Sequence, residues 1–236
     1  MLITDFHREF KISLDKVDSS AYPELMDGEI DFFLNEAQLR FVKTRYGINN
    51  LYRKGFEEIQ KRTEDLNNLV KTRFTNITLY PYSGNSYKAN SSSLFVDELR
   101  ATPSTDKYMF FLKVDAKIAK PCGTDYPDYC THVQQDDLER VTRDPFNKPT
   151  DDFPIFWFED GGLVFQTGGS PVVAVRLTFL KFPTSMCLGT YGKPVSQCEL
   201  AEHTHKEIIQ LAVKIALENL ESPRQQTQDY NLQNLE

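Results

Sequence analysis

The sequence predicts an α+β fold in which a helical domain built from both chain ends carries an inserted antiparallel β domain, sandwich or barrel-like. Three observations lead there. Apolar residues recur at helical spacing as far as Lys71, the period is then that of strands for more than a hundred residues, and helical spacing returns near Leu200. The last helical stretch also demands cover from elsewhere in the chain. At about 100° per residue, Ile208, Ile209, Leu211, Ala212, Val213, Ile215, Ala216, Leu217 and Leu220 sweep roughly two-thirds of the helix. His203, Glu207, Gln210, Lys214 and Glu218 form the remaining polar stripe, so the helix meets more than one neighbour and the N-terminal helices are available to be one. The expected division is residues 1–72 with 198–222 as the helical domain, 73–197 as the β domain, and 223–236 as a polar tail.

The first helix is expected after Thr4, whose hydroxyl can cap the next free amides, with Phe6, Phe10, Leu14 and Val17 as its apolar stripe. Ser19 to Pro23 break it. Asp27 suits the cap of a second helix that ends at Gly47, and this helix has two apolar sides. Ile30, Phe33, Leu34, Ala37 and Phe41 make a core stripe, while Phe32, Leu39 and Tyr46, with Val42 beside them, make a line opposite. Either both sides are covered within the chain or one side meets a partner subunit. A third helix is expected from Phe56 to Lys71, on Phe56, Ile59, Thr63, Leu66 and Val70.

Strands are expected over Phe74–Tyr80, Leu94–Leu99 and Lys107–Ile118, with the polar run Ser83–Ser93 as an exposed loop. Pro121–Asp137 reads as a long irregular connection, and the prolines between Asp144 and Pro154 forbid a central strand there. The clearest hairpin joins Ile155–Phe158 to Leu163–Phe165 through Glu159-Asp160-Gly161-Gly162, where Asp-Gly suits a tight reversal. A turn at Gly168–Pro171 leads into the alternating strand Val172–Phe182, and the whole reads as an antiparallel meander. The start of the last helix is open, because Ser196 to Glu199 and Thr204 to Glu207 both fit a capping box.

Composition narrows function by exclusion. The 236 residues are 40% hydrophobic, enough for a real core, and 27 basic against 34 acidic residues leave a net charge of −7. Such a balance argues against a surface built to grip nucleic-acid phosphates. No secretory or membrane-spanning run is present, so the chain reads as soluble with no membrane partner, and its four cysteines as reduced thiols. Cys122, Cys130 and His132, with Cys198, His203 and His205, are the candidates for a zinc site. The seven residues between Cys122 and Cys130 do not make a zinc knuckle, so isolated thiols and helix-start histidines are the expectation, with no metal and no cofactor. The carboxylate pairs Asp151-Asp152 and Glu159-Asp160 lie in turn contexts, where Asp bonds its own backbone. Gly168-Gly169-Ser170 lacks a following Lys and helix, which excludes a phosphate loop. With no catalytic motif, no catalytic residue is assigned. The tail after Pro223 carries three anchors, Tyr230, Leu232 and Leu235, in a Gln/Asn background, and is expected to be frayed or to dock on a neighbour.

Four stretches carry a resemblance: ITDFHREFKISLDK, YPELMDGEIDFFLNEAQLRFVKTRYG, VRLTFLKFPT and EHTHKEIIQLAVKIALENLESPR. Together they resemble the head-to-tail connector and tail ring (tail stabilisation) proteins of crAss-like tailed bacteriophages of Bacteroides. Residues 80–153 lie outside the resemblance. It implies a non-enzymatic virion subunit, assembled in the bacterial host cytoplasm into a homo-oligomeric ring of twelve copies. The implied partners are the portal and the other neck or tail rings, with DNA passing through and no sequence-specific binding. A closed ring joins unlike patches on successive copies, and two-faced helices offer such patches. The subunit-contact residues expected on this basis are Phe32, Leu39 and Tyr46, with Leu217 and Leu220. A tail or tail-fibre attachment adaptor of the same virion is the nearest alternative, and a zinc-dependent enzyme or a DNA-binding module are the alternatives from other classes.

Overall fold

The computed structural model describes residues 1–14, 25–46, 60–75, 79–83, 86–89, 107–119, 128–159, 162–189, 192 and 194–220. The chain forms two compact units, Met1–Leu69 with Pro183–Glu236, and Val70–Phe182. Val17, the break at Ser19–Pro23, Gly47, Phe56, Ile59, Leu94–Leu99, Cys122, Asp160, Gly161 and residues 223–236 lie outside the described residues.

In the helical unit, α1 (Ile3–Leu14) buries Ile3, Phe6, Phe10 and Leu14, one stripe at spacings of three and four. Thr4 does not cap its start, contrary to expectation, because the helix begins one residue earlier and the Phe6 N–H bonds the Leu2 carbonyl (3.1 Å). The Leu2 N–H reaches the Asp5 carboxylate (3.4 Å), and the Ile3 N–H donates to Gln197 Oε1 (2.7 Å). α2 (Asp27–Tyr46) likewise begins differently: the Met26 N–H donates to Glu29 Oε2 (2.8 Å), the carboxylate half of a capping box, and Asp27 is left in the first turn. α3 (Gln60–Leu66) continues as a 3-10 turn to Leu69, so the expected helix does not reach Lys71. Val70 instead opens a strand, and its partner across the sheet is Leu180.

The final helix, designated α5 (His205–Asn219), packs on α2 and on α1. A 3-10 turn, Glu202–Thr204, leads into it. The capping box expected at Thr204 does not form: its hydroxyl donates to the Ala201 carbonyl (2.8 Å), and Glu207 is drawn away to Arg45 (2.6 Å) and Lys61 (3.3 Å); at the other candidate start, Glu199 accepts from the Thr184 hydroxyl (3.0 Å). The segment Pro183–Glu199 belongs to this unit as well, although the strand-like period before Leu200 placed residues 183–197 with the β region. It is fastened by Cys187 and Ser196, whose backbones exchange two hydrogen bonds (3.1 and 2.9 Å), and by three side chains of α2 described below.

The β unit holds two sheets. One has the order β1 (Val70–Thr75), β9 (Val172–Lys181), β4 (Tyr108–Ile118), β5 (Asp128–Tyr129). The other runs β2 (Leu79–Ser83), β3 (Ser86–Ala89), β8 (Gly162–Gln166), β7 (Ile155–Glu159), β6 (Thr131–His132). Val175, Leu177 and Phe179 of β9 and Val114, Ala116 and Ile118 of β4 share one core with Phe156, Leu163 and Phe165 of β7 and β8, which makes the pair a sandwich. Ile155, Trp157 and Val164 point out of the opposite face, where Leu138 and Val141 of the short helix α4 (Leu138–Arg143) cover them. Burial on both faces explains why β7 is apolar without alternation.

The β7–β8 hairpin closes with Glu159 paired to Gly162, the register that a two-residue connection requires. The simple meander is not observed. β8 and β9 are consecutive in the chain yet lie in different sheets, and β6 pairs with β7 in parallel. Part of the expected Ser83–Ser93 loop is a strand, β3, and Pro81 is accommodated because β2 is an edge strand with a register shift between Pro81 and Ser83.

Candidate subunit interface

α2 positions three of the five candidate contacts, Phe32, Leu39 and Tyr46. Its covered arc contains Ile30, Leu34, Ala37 and Phe41, and also Val42, which the pattern placed on the opposite line. The arc holds a second row as well: Asp31, Gln38 and Arg45 are all buried. Spaced by seven residues, they drift only about 20° per step and stay on one side of the helix.

Each member of this row has partners from distant parts of the chain. Asp31 meets the buried His7 (Nε2 to Oδ1, 2.8 Å) and accepts the Leu188 N–H (3.2 Å). The Gln38 amide approaches Cys198 Sγ at 4.0 Å. Arg45 contacts Asp65 (3.2 Å) and Glu207 (2.6 Å), Lys61 reaches the same Glu207, and His203 Nε2 lies 2.7 Å from Asp65. The row therefore ties α1, α3, α5 and the Pro183–Glu199 segment to one helix. Sequence reasoning missed it, although its signal was present: three polar residues repeat at a seven-residue interval, each one position before Phe32, Leu39 and Tyr46.

The opposite row is uneven. Phe32 is 63% exposed, whereas Leu39 and Tyr46 are half-buried and burial raises the Tyr46 phenol pKa. Phe32 is nonetheless well supported: its ring meets Phe33 edge-on (centroids 5.7 Å apart), and Phe33 stacks on Phe10 of α1 (6.4 Å). An aromatic ladder thus runs from the core to the surface. On α5, Leu217 is 1% exposed and Val213 is equally buried, with Leu220 half-buried at the end. The arc of α5 assigned to a neighbour is thus covered within the subunit at Val213 and Leu217, because α1 and α2 take both of its sides.

The histidines and cysteines of the zinc alternative are engaged separately. Cys130 is buried in the sandwich core, and His132 sits on Phe111, Phe156 and Phe158 with ring centroids 5.0, 5.2 and 5.6 Å away, where desolvation lowers its pKa. His205 tilts on Phe6 and donates from Nε2 to the Leu200 carbonyl (3.0 Å). Burial pushes the Cys198 thiol up to about 11, which disfavours the thiolate that metal binding needs. Among the described residues, no group of three or more His, Cys, Asp or Glu side chains converges on a point that could hold a metal. Nor is any described helix long and apolar enough to cross a membrane. Of the turn carboxylates, Asp151 binds the backbone and hydroxyl of Ser170 (3.2 and 2.7 Å), and Glu159 accepts the Trp157 indole N–H (3.0 Å).

The described residues present a candidate contact surface on α2, and sequence comparison gives its context. The model of the family described as phage tail ring protein 3/4 matches residues 1–228. The chain belongs to this family. A curated relative, Ring protein 4/5 of Bacteroides phage crAss001, is 22% identical over 233 residues, and the match covers 92% of each chain. The protein is thus a structural component of the tail rings of crAss-like phages.

Within this ring protein, the stretch Glu29-Ile30-Asp31-x-Phe33-Leu34-Asn35-x-Ala37-Gln38 has an internal purpose. Glu29 caps, Ile30, Leu34 and Ala37 fill the core, Phe33 carries the ladder, and Asp31 and Gln38 bind other segments. Asn35 pairs with Met186 as a strand would, its Oδ1 accepting the Met186 N–H (2.7 Å) and its Nδ2 donating to the Met186 carbonyl (2.9 Å). The remaining two positions of the stretch face outward: Phe32 is exposed, and Glu36 pairs with Arg40 one turn on (3.3 Å). Asn35→Ala leaves both Met186 backbone groups without these partners and is expected to cost about 2 kcal/mol in chemical denaturation. Hydrogen exchange at Met186 and Leu188 should accelerate while that of β9 does not; unchanged exchange at both would show that the segment is held by other contacts.

Proposed function

We propose that this protein is a non-enzymatic subunit of a ring in the portal-to-tail neck, assembled from copies of itself, with DNA passing through the bore and the ring faces serving as platforms for adjacent rings. Family membership supports ring assembly, and one structural observation carries the choice of surface. Phe32 stands 63% exposed on a helix whose other side is fully occupied. A large aromatic residue held in solvent on a rigid ladder is the typical anchor of a subunit contact. The −7 net charge suits a ring through which DNA slides without being held. Twelve copies is the number expected of a ring stacked on the portal, and the assembled virion is its location.

Native mass measurement and negative-stain imaging of the purified protein, alone and mixed with portal and the other neck rings, test this reading. Closed rings with a central bore are the expected result. A chain that stays monomeric under both conditions would sink the neck assignment. Phe32→Asp should leave stability within about 0.5 kcal/mol of the parent, since the side chain is exposed. The variant should nevertheless fail to form rings, and normal assembly of a folded Phe32→Asp chain would remove α2 from the interface.

A further inference from the structure

The loop between α4 and β7 carries a second aromatic feature that the sequence pattern did not single out. Phe146 is 95% exposed and Phe153 is 75% exposed. The loop that bears them is built to hold its shape. Asp144 accepts the Phe146 N–H (2.9 Å) and the Asn147 side chain (2.6 Å), and these donors hold its carboxyl below the usual carboxylate range. Thr150 and Phe153 exchange two bonds, the Phe153 N–H to Thr150 Oγ1 (3.2 Å) and the Thr150 N–H to the Phe153 carbonyl (3.3 Å). Asp151 fastens the loop to Ser170 in the β8–β9 turn, where Gly168 packs so closely that a Cβ would come 2.9 Å from the Asp151 nitrogen. Pro149 and Pro154 are buried anchors. Aromatic side chains on a loop already ordered lose little conformational freedom on docking, which is the condition for an effective anchor.

We propose that this loop is the counterpart of the α2 surface: Phe146 and Phe153 of one copy dock against the Phe32, Leu39 and Tyr46 row of a second copy. The proposal rests on the ring reading and names its contact. A closed ring needs two unlike patches on every copy, and these are exposed aromatic features of different units. Residues 136–153 carry six acidic side chains and three basic ones. Along the Phe32–Tyr46 row, α2 presents Glu36, Arg40 and Lys43; Arg40 lies against Glu36 (3.3 Å) and Glu218 (3.6 Å), so the exposed Lys43 is the cation of the row placed to meet an acidic loop. At roughly 150–250 Å² each, the two phenylalanines offer on the order of 300 Å² of apolar contact. That is more than a third of the about 800 Å² that one partner buries in a standard interface.

The test uses the full chain with the photoreactive analogue p-benzoylphenylalanine at position 146, mixed in equal amounts from light and heavy isotope cultures. Irradiation followed by peptide mass spectrometry should give light–heavy adducts within Asp27–Tyr46. In parallel, the pair Phe146→Asp with Phe153→Asp, and Phe32→Asp alone, should each weaken assembly at least about tenfold. The two variants mixed together retain one intact contact between them and should stop at heterodimers. Rings that form with adducts elsewhere, or a double variant that assembles like the parent, overturn this contact and leave the ring reading standing. Absence of both rings and inter-chain adducts overturns the two together.

Discussion

Arg45→Ala is expected to lower the stability of the helical unit by about 3–5 kcal/mol, because it strands a buried carboxylate. Asp65 is fully buried, and its Oδ2 lies 3.2 Å from Arg45 Nε, while Glu207 is 2.6 Å from the same guanidinium. His203 and Lys61 also touch these carboxylates, but both are about half-exposed, so their compensation is screened by solvent. Urea denaturation followed by far-UV circular dichroism reads the loss. The control is informative: Arg45→Met combined with Asp65→Leu removes both charges and should recover much of the stability, since a buried ion pair replaced by apolar groups is often near neutral. A loss below about 1 kcal/mol for Arg45→Ala would mean that the two carboxylates tolerate burial without it.

Leu217→Asp is the second large effect, and its readout differs from that of the interface variants. Leu217 is 1% exposed on the arc of α5 that faces its own unit, so an aspartate there buries an unpaired carboxylate and loses the leucine's packing. Each of these costs several kcal/mol, and together they exceed the stability of most domains of this size. The expected outcome is loss of helical signal at ambient temperature, not a folded chain unable to assemble. Trp157, the single tryptophan, is buried in the β unit, so its fluorescence tells whether that unit is lost as well. A folded, monomeric Leu217→Asp chain would contradict the observed burial and restore Leu217 to the subunit surface.

Much of the fold was legible because its signals are local. The β7–β8 hairpin followed from turn residues between two apolar runs, and β4, β9 and the bodies of α1, α2 and α5 followed from the period of apolar residues. What was misread depends on partners distant in the chain. Val70 fits the apolar stripe of α3, yet pairing with Leu180 makes it a strand residue. β3 has no strand-like composition and exists through its register with β2 and β8. α4 is too short for a periodic signal and is held by Leu138 and Val141 over Ile155, Trp157 and Val164. Thr204 and Glu207 have the spacing of a capping box, but the Arg45 guanidinium, 162 residues from Glu207 in sequence, is a stronger partner for that carboxylate than a backbone amide.

The candidate interface shows the same division. By itself, the sequence determined that α2 has two apolar sides and that α5 has an arc too broad for one neighbour; both follow from helical geometry and residue type alone. Only the tertiary structure decided which of those sides are covered. Leu217 lies inside because α1 and α2 both reach α5, Phe32 lies outside because no described element of its unit covers it, and Asp31, Gln38 and Arg45 are interior although they are polar. The physical reason is that periodicity measures how wide an apolar face is, whereas burial depends on which distant segment arrives to cover it. The same holds for a buried polar row, whose partners His7, Asp65, Leu188, Cys198 and Glu207 are scattered along the chain and meet only when it folds.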